Sequence, residues 1–219
     1  MANSPKFYVD SADVEKVTEL LAVGLVCGVT TNPTILERGG RHLGELPELY
    51  ARWVAEGAEE VFFQAWGSTS DEMLENAAQL LALGDRVVVK VPATRDGFIV
   101  ARTLTARGAV VLVTAVYSAA QALAAATYGV RYIAPYFGRL SDSGRDALKL
   151  IGEMQAVCEG TSTNVLAASL RNPDDIVALR LAGVQYFTAA PEVILACLRD
   201  DISERSASDF EDAIVRISQ

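Results

Sequence analysis

The stretch "RVVVKVPATRDG", residues 86–97, is a run of valines interrupted by one lysine, Lys90, and followed by the start of a helical pattern. A run apolar on both faces belongs to a strand covered on both sides, as in parallel sheets. Runs of the same kind recur as "KFYVD", "VCGVTTN" and "EVFFQAW" before it and "VVLVTAVY", "RYIAPYFG", "TNVLAASL" and "VQYFTAA" after it. Each is followed by a segment of helical periodicity. Eight such units, none with a GxGxxG loop after its strand, predict an α/β fold, a single closed (β/α)8 TIM barrel rather than an open doubly wound sheet.

Local signals agree with these boundaries. Ser11 is placed to cap a first helix carrying Asp13 and Glu15 in its first turn, and Thr69 with Glu72 reads as a capping box. "NPDD" supplies Asn172 as a cap, Pro173 at the first helical position and two carboxylates behind it, while Gly108, Gly129 and Gly183 close helices. With no linker, repeat or low-complexity tract, residues 1–219 form one expected domain. A ninth amphipathic pattern, Phe210, Ile214 and Ile217, predicts a helix over 204–218 that is left over once the barrel is closed. It is expected to pack on a neighbouring subunit.

Composition removes several classes of function. Hydrophobic residues make up 51% of the chain, yet no apolar run approaches the roughly 20 residues of a membrane span. The N-terminus lacks a basic region followed by an apolar one, so a cytoplasmic protein is expected. Cys27, Cys158 and Cys197 are odd in number and widely spaced, which suits reduced packing residues. His42 is the only histidine and sits in a Gly-rich loop, so serine and cysteine triads and histidine-ligated metals lose their central residue. A net charge of −9 argues against nucleic acid and requires that any anionic ligand be held by a local cluster of donors.

In such a barrel the active site gathers at the carboxyl ends of the strands. The polar residues of the runs lie there: Asp10 in the first, Thr30, Thr31 and Asn32 in the second, Gln64 in the third, Lys90 in the fourth, Thr114 in the fifth, Tyr136 and Arg139 in the sixth, Ser169 and Arg171 in the seventh. Lys90 has two readings. Its stem can pack in the barrel with the ammonium on Asp10 or in solvent. Alternatively burial depresses its pKa and frees the amine as a nucleophile towards a carbonyl. Asp10 and Asn32 could equally cap helices, Gln64 and Thr114 could be satisfied core polars, and Tyr136 could be packing. What favours chemistry is the number of hydroxyls and amides around one lysine, a wall suited to a polyhydroxylated ligand.

At these residues the chain resembles the small transaldolases and, more closely, fructose-6-phosphate aldolase, which are Schiff-base enzymes. "FYVDSADV", "GVTTNPTI", "VVVKVPATRDG", "TAVYSAAQAL", "YIAPYFGR" and "VLAASL" follow the family's order and spacing nearly end to end. The resemblance implies that Lys90 forms an iminium with the ketone of a sugar phosphate, that Asp10 handles the C4 hydroxyl proton, and that Gln64, Thr114 and Tyr136 hold the exchanging water. It implies that Asn32, Thr30 or Thr31 and Ser169 orient a dihydroxyacetone unit, and that Arg139 and Arg171 take the distal phosphate. It implies sugar phosphate and aldehyde substrates, no metal or organic cofactor, and a homo-oligomer, pentamer or decamer. Gln64 and Tyr136 are the residues of the aldolase, where similar transaldolases tend to have Glu and Phe. Gly138, Trp66 and Leu170 depart from the aldolase's pattern. A barrel of the same shape that only binds its ligand is the alternative from another class of function.

Overall fold

The computed structural model describes residues 4–218. Eight strands pair in chain order, all parallel: β1 (Lys6–Asp10), β2 (Gly28–Thr30), β3 (Glu60–Gln64), β4 (Val87–Pro92), β5 (Val111–Val116), β6 (Tyr132–Pro135), β7 (Asn164–Leu170) and β8 (Tyr186–Ala189). β8 returns to β1, with Lys6 opposite Tyr186, and closes the expected (β/α)8 barrel.

The period of two along each strand separates two cores. Val87, Val89 and Val91 of β4 point outward and join the layer between sheet and helices, where Trp53 stacks on Phe63 at 6.3 Å. Val88 points inward, into a cluster with Tyr8, Phe62, Leu112, Tyr132, Leu166 and Tyr186. Lys90 shares the parity of Val88, so it too faces the interior, one step nearer the carboxyl end. Below it the barrel is filled by rings in edge contact, Tyr8 with Phe62 at 5.2 Å and Tyr132 with Tyr186 at 5.5 Å. An inward carboxylate that the apolar reading of these strands overlooked accepts from two of them: the Tyr8 and Tyr132 hydroxyls both donate to Glu60.

The helices are α1 (Val14–Ala22), α2 (Pro33–Arg38), α3 (Leu46–Ala55), α4 (Ser70–Leu81), α5 (Arg95–Ala106), α6 (Ala119–Thr127), α7 (Phe137–Asp142), α8 (Ala147–Cys158), α9 (Pro173–Leu181), α10 (Pro191–Ala196) and α11 (Asp201–Ile217). β2 and β6 are each followed by two helices rather than one. The additional short ones, α2 and α7, lie at the barrel mouth.

Most expected caps are present: Thr69 accepts from Glu72 N, and Asn172 from Asp175 N. Two details differ. The cap of α1 is Asp13, which accepts from Lys16 N, while Ser11 instead accepts from Asp13 N and shapes the turn before the helix. Glu72 reaches back to Ser68 N, one residue beyond the cap. The terminal helix begins at Asp201, earlier than 204, because Asp200 caps it through Ile202 N and Ser203 N. Cys197 is exposed rather than embedded, since α10 ends just before it.

Candidate active site

A cavity of about 170 Å³ opens at the carboxyl ends of the strands. Asp10, Thr30, Asn32, Lys90, Tyr136, Arg139 and Ser169 of the expected site line it. Leu112, Ala134, Leu166 and Ala168 are the apolar part of its wall.

Lys90 is only 5% exposed. Its Nζ donates to the Thr31 carbonyl at 2.7 Å, and among the described residues it has no ion pair. Burial holds the Lys90 pKa below the ordinary lysine value, and Asp10 opposes that shift from nearby. Asp10 behaves as the mirror image: burial raises its carboxyl, while Lys90 and a hydrogen bond from Thr30 pull it back. That bond, Thr30 Oγ1 to Asp10 Oδ1, is 2.6 Å. The Thr188 hydroxyl lies 2.6 Å from Thr30 Oγ1, so if Thr188 donates, a relay Thr188 to Thr30 to Asp10 fixes the carboxylate's orientation.

Across the cavity the Tyr136 hydroxyl and Thr114 Oγ1 lie 2.7 Å apart. The ring is held on two sides, edge-on by Tyr117 at 5.9 Å and by the Arg139 guanidinium at 4.9 Å from its centroid. Burial raises the Tyr136 pKa, which keeps the phenol protonated and able to donate. Two strand irregularities frame this wall. The register shifts between Thr114 and Val116 on β5 and between Ala167 and Leu170 on β7, and at those points Ala115 (φ 57°) and Ser169 (φ 60°) take left-handed conformations. Each costs about 1–2 kcal/mol for a non-glycine residue and turns the neighbouring side chain relative to a regular strand.

Four expected residues stand outside the cavity lining: Thr114, which meets it only through the Tyr136 hydroxyl, and Thr31, Gln64 and Arg171. Thr31 turns its hydroxyl to the Phe62 carbonyl, away from the cavity, and offers only its own carbonyl to Lys90. Gln64 ends β3 in register with Lys90 but is not part of the cavity wall. Arg171 is engaged on both NH groups by Asp142, at 2.8 and 2.5 Å. Gly138 permits that clasp, because a Cβ there would come within 2.8 Å of Arg171 Nε and 2.7 Å of the Ser169 carbonyl. Glycine at 138 thus has a local physical reason.

The wall also contains residues that the sequence reading left out: Thr188 on β8, and Thr34, Ile35 and Arg38 on α2. Thr188 was accessible as the polar residue nearest the carboxyl end of the eighth run. Thr34 and Arg38 are four apart and share a helix face, a spacing that follows once Asn32 and Pro33 are taken as a helix start.

The barrel class is shared with distant structures. Thiamine phosphate pyrophosphorylase from Pyrococcus furiosus superposes with a TM-score of 0.62 at 20% identity, covering 88% of each chain, a likeness of fold alone. The family is shown by sequence: the Transaldolase/Fructose-6-phosphate aldolase model matches residues 7–218, and the chain belongs to that family. A protein of Cereibacter sphaeroides named "Probable transaldolase" is 36% identical over 94% of both chains, and one of Hyphomonas neptunium with the same name is 35% identical over the same share. No helix among the described residues is long and apolar enough to cross a membrane.

Proposed function

We propose that the protein is a class I aldolase that cleaves fructose 6-phosphate reversibly to dihydroxyacetone and glyceraldehyde 3-phosphate through a Schiff base on Lys90. The observation that carries this reading is a buried, unpaired amine facing a polar cavity with one carboxylate beside it. The neutral amine adds to the C2 carbonyl, and the carbinolamine loses water to give an iminium. Asp10 takes the C4 hydroxyl proton, the C3–C4 electron pair moves into the iminium, and the aldehyde leaves. The iminium is itself the electron sink, so the chemistry calls for no metal or organic cofactor. Thr30, Asn32 and Ser169 hold the dihydroxyacetone hydroxyls, and Arg139 takes the phosphate. Gln64, in register with Lys90, serves the exchanging water from outside the wall.

The enamine then has two fates. Protonation at C3 followed by hydrolysis releases dihydroxyacetone, whereas attack on a second aldehyde transfers the three-carbon unit. The Tyr136 phenol, kept protonated and oriented by Thr114, supports the first. The second, transaldolase activity, is supported by the names of the relatives. Removing only the hydroxyl decides between them: Tyr136→Phe should lower cleavage of fructose 6-phosphate by ~100-fold, a typical general-acid contribution, while transfer to erythrose 4-phosphate persists. A wild-type protein that transfers efficiently yet releases no dihydroxyacetone is a transaldolase, and the phenol's role is then misassigned.

Assembly belongs to the same proposal. α11 has no buried residue, and its Phe210 and Ile217 are 69% and 79% exposed. We propose that it is covered by a second copy in a homo-oligomer.

A further inference from the structure

Three basic side chains line the cavity, Lys90, Arg139 and Arg38, against a single carboxylate, Asp10. The proposed reaction uses the first two and leaves Arg38 without a task. Arg38 stands in the last turn of α2, directly after β2, and Arg139 in α7, directly after β6. In a barrel closed in chain order, β2 and β6 are diametrically opposed. The helices that carry the two arginines therefore follow opposite strands of one mouth, and both residues line its cavity.

Neither arginine forms an ion pair with a carboxylate among the described residues. Arg41, Arg52 and, at the same rim, Arg171 are held in ion pairs by Glu45, Glu56 and Asp142, and what sets Arg38 and Arg139 apart from the remaining arginines is that they line the cavity. Arg171 can meet an anion only by giving up Asp142, whereas Arg38 and Arg139 are available at once. A helix carboxyl end favours a basic residue by itself, which accounts for the charge at position 38. It does not account for a side chain that forms part of the cavity wall. In a chain of net charge −9, cations left free at a concave site are where the field favours an anion.

We propose that Arg38 is a specificity-determining residue: it binds the anionic end of the substrate from the side opposite Arg139, so that phosphate is recognised by a two-sided guanidinium clasp. This rests on the sugar-phosphate reading above, and not on the choice between aldolase and transaldolase. Because Arg38 is exposed, its contribution is screened and modest.

The test compares wild type, Arg38→Gln and Arg38→Lys with fructose 6-phosphate and with unphosphorylated fructose. The ratio of kcat/KM for the phosphorylated over the unphosphorylated ketose should fall about 3- to 10-fold in Arg38→Gln, through KM, and recover in part in Arg38→Lys. The deficit should shrink as salt is raised. An unchanged ratio overturns the inference. Titration of the same proteins with inorganic phosphate by calorimetry gives a second readout that needs no turnover. Weaker phosphate binding by Arg38→Gln supports the clasp, and no binding by wild type or equal binding by both overturns it. Trapping of dihydroxyacetone on wild-type Lys90 tests the functional reading separately, so failure of one is not mistaken for failure of the other.

Discussion

Lys90 and Asp10 each oppose what burial does to the other. Desolvation favours a neutral amine and a neutral acid, and the attraction between the two charged forms works against both shifts. The amine's supply of its neutral form therefore depends on Asp10, and the sign can be checked. Trapping of dihydroxyacetone on Lys90 should increase as pH climbs through the lowered pKa of that lysine. In Asp10→Asn the group that favours the ammonium is gone, so the rising limb should move to lower pH; a limb that stays or moves up contradicts the assignment. At this scale Lys90, Asp10 and Tyr136 were legible because each is a polar residue standing in or closing an apolar run. Arg38 was not, since an arginine on a short helix is ordinary until a cavity is seen beside it. The clasp of Arg171 by Asp142 was illegible for another reason: it depends on how closely α7 approaches the end of β7 at Gly138, a distance that no spacing encodes.

The turn from β4 to α5 shows how elements hold the Lys90 amine, the group proposed to react. Thr94 caps α5 through Gly97 N, and a Cβ on Gly97 would run into the Pro92 carbonyl, so the strand end and the helix start are locked together two residues beyond Lys90. Gly97→Ala should destabilise the protein by about 1–3 kcal/mol, the usual cost of overpacking, read as a lower urea midpoint. Gly44→Ala, where nothing lies within 4 Å, is the neutral comparison. Equal midpoints would show that the turn yields freely. The strands and outer helices were legible because their periods of two and 3.6 run over many residues. α2 and α7 are six residues each, too short for a period, and their caps were visible only where Asn32 and Pro33 announced one. The left-handed conformations of Ala115 and Ser169 carried no glycine to mark them, so the two irregular strands read as regular.

For the whole molecule, the leftover helix and the single amine make separate claims. With Ile202, Phe210, Ile214, Val215 and Ile217 all more than half exposed on α11, an isolated chain leaves an apolar face in water that a second copy would cover. Light scattering should report a homo-oligomer, and Phe210→Glu combined with Ile214→Glu should shift it towards monomer; a wild-type chain that remains monomeric at high concentration refutes this. The central claim is that the barrel exists to present one buried lysine to a ketone. The chain has four lysines, of which Lys6 and Lys16 are held in ion pairs. Borohydride reduction of the intact protein in the presence of dihydroxyacetone, followed by peptide mass spectrometry, should add one reduced ketone-derived mass to the peptide containing Lys90 and none in Lys90→Met. Label on Lys6, Lys16 or Lys149 instead, or no label on the wild-type protein, would contradict the account.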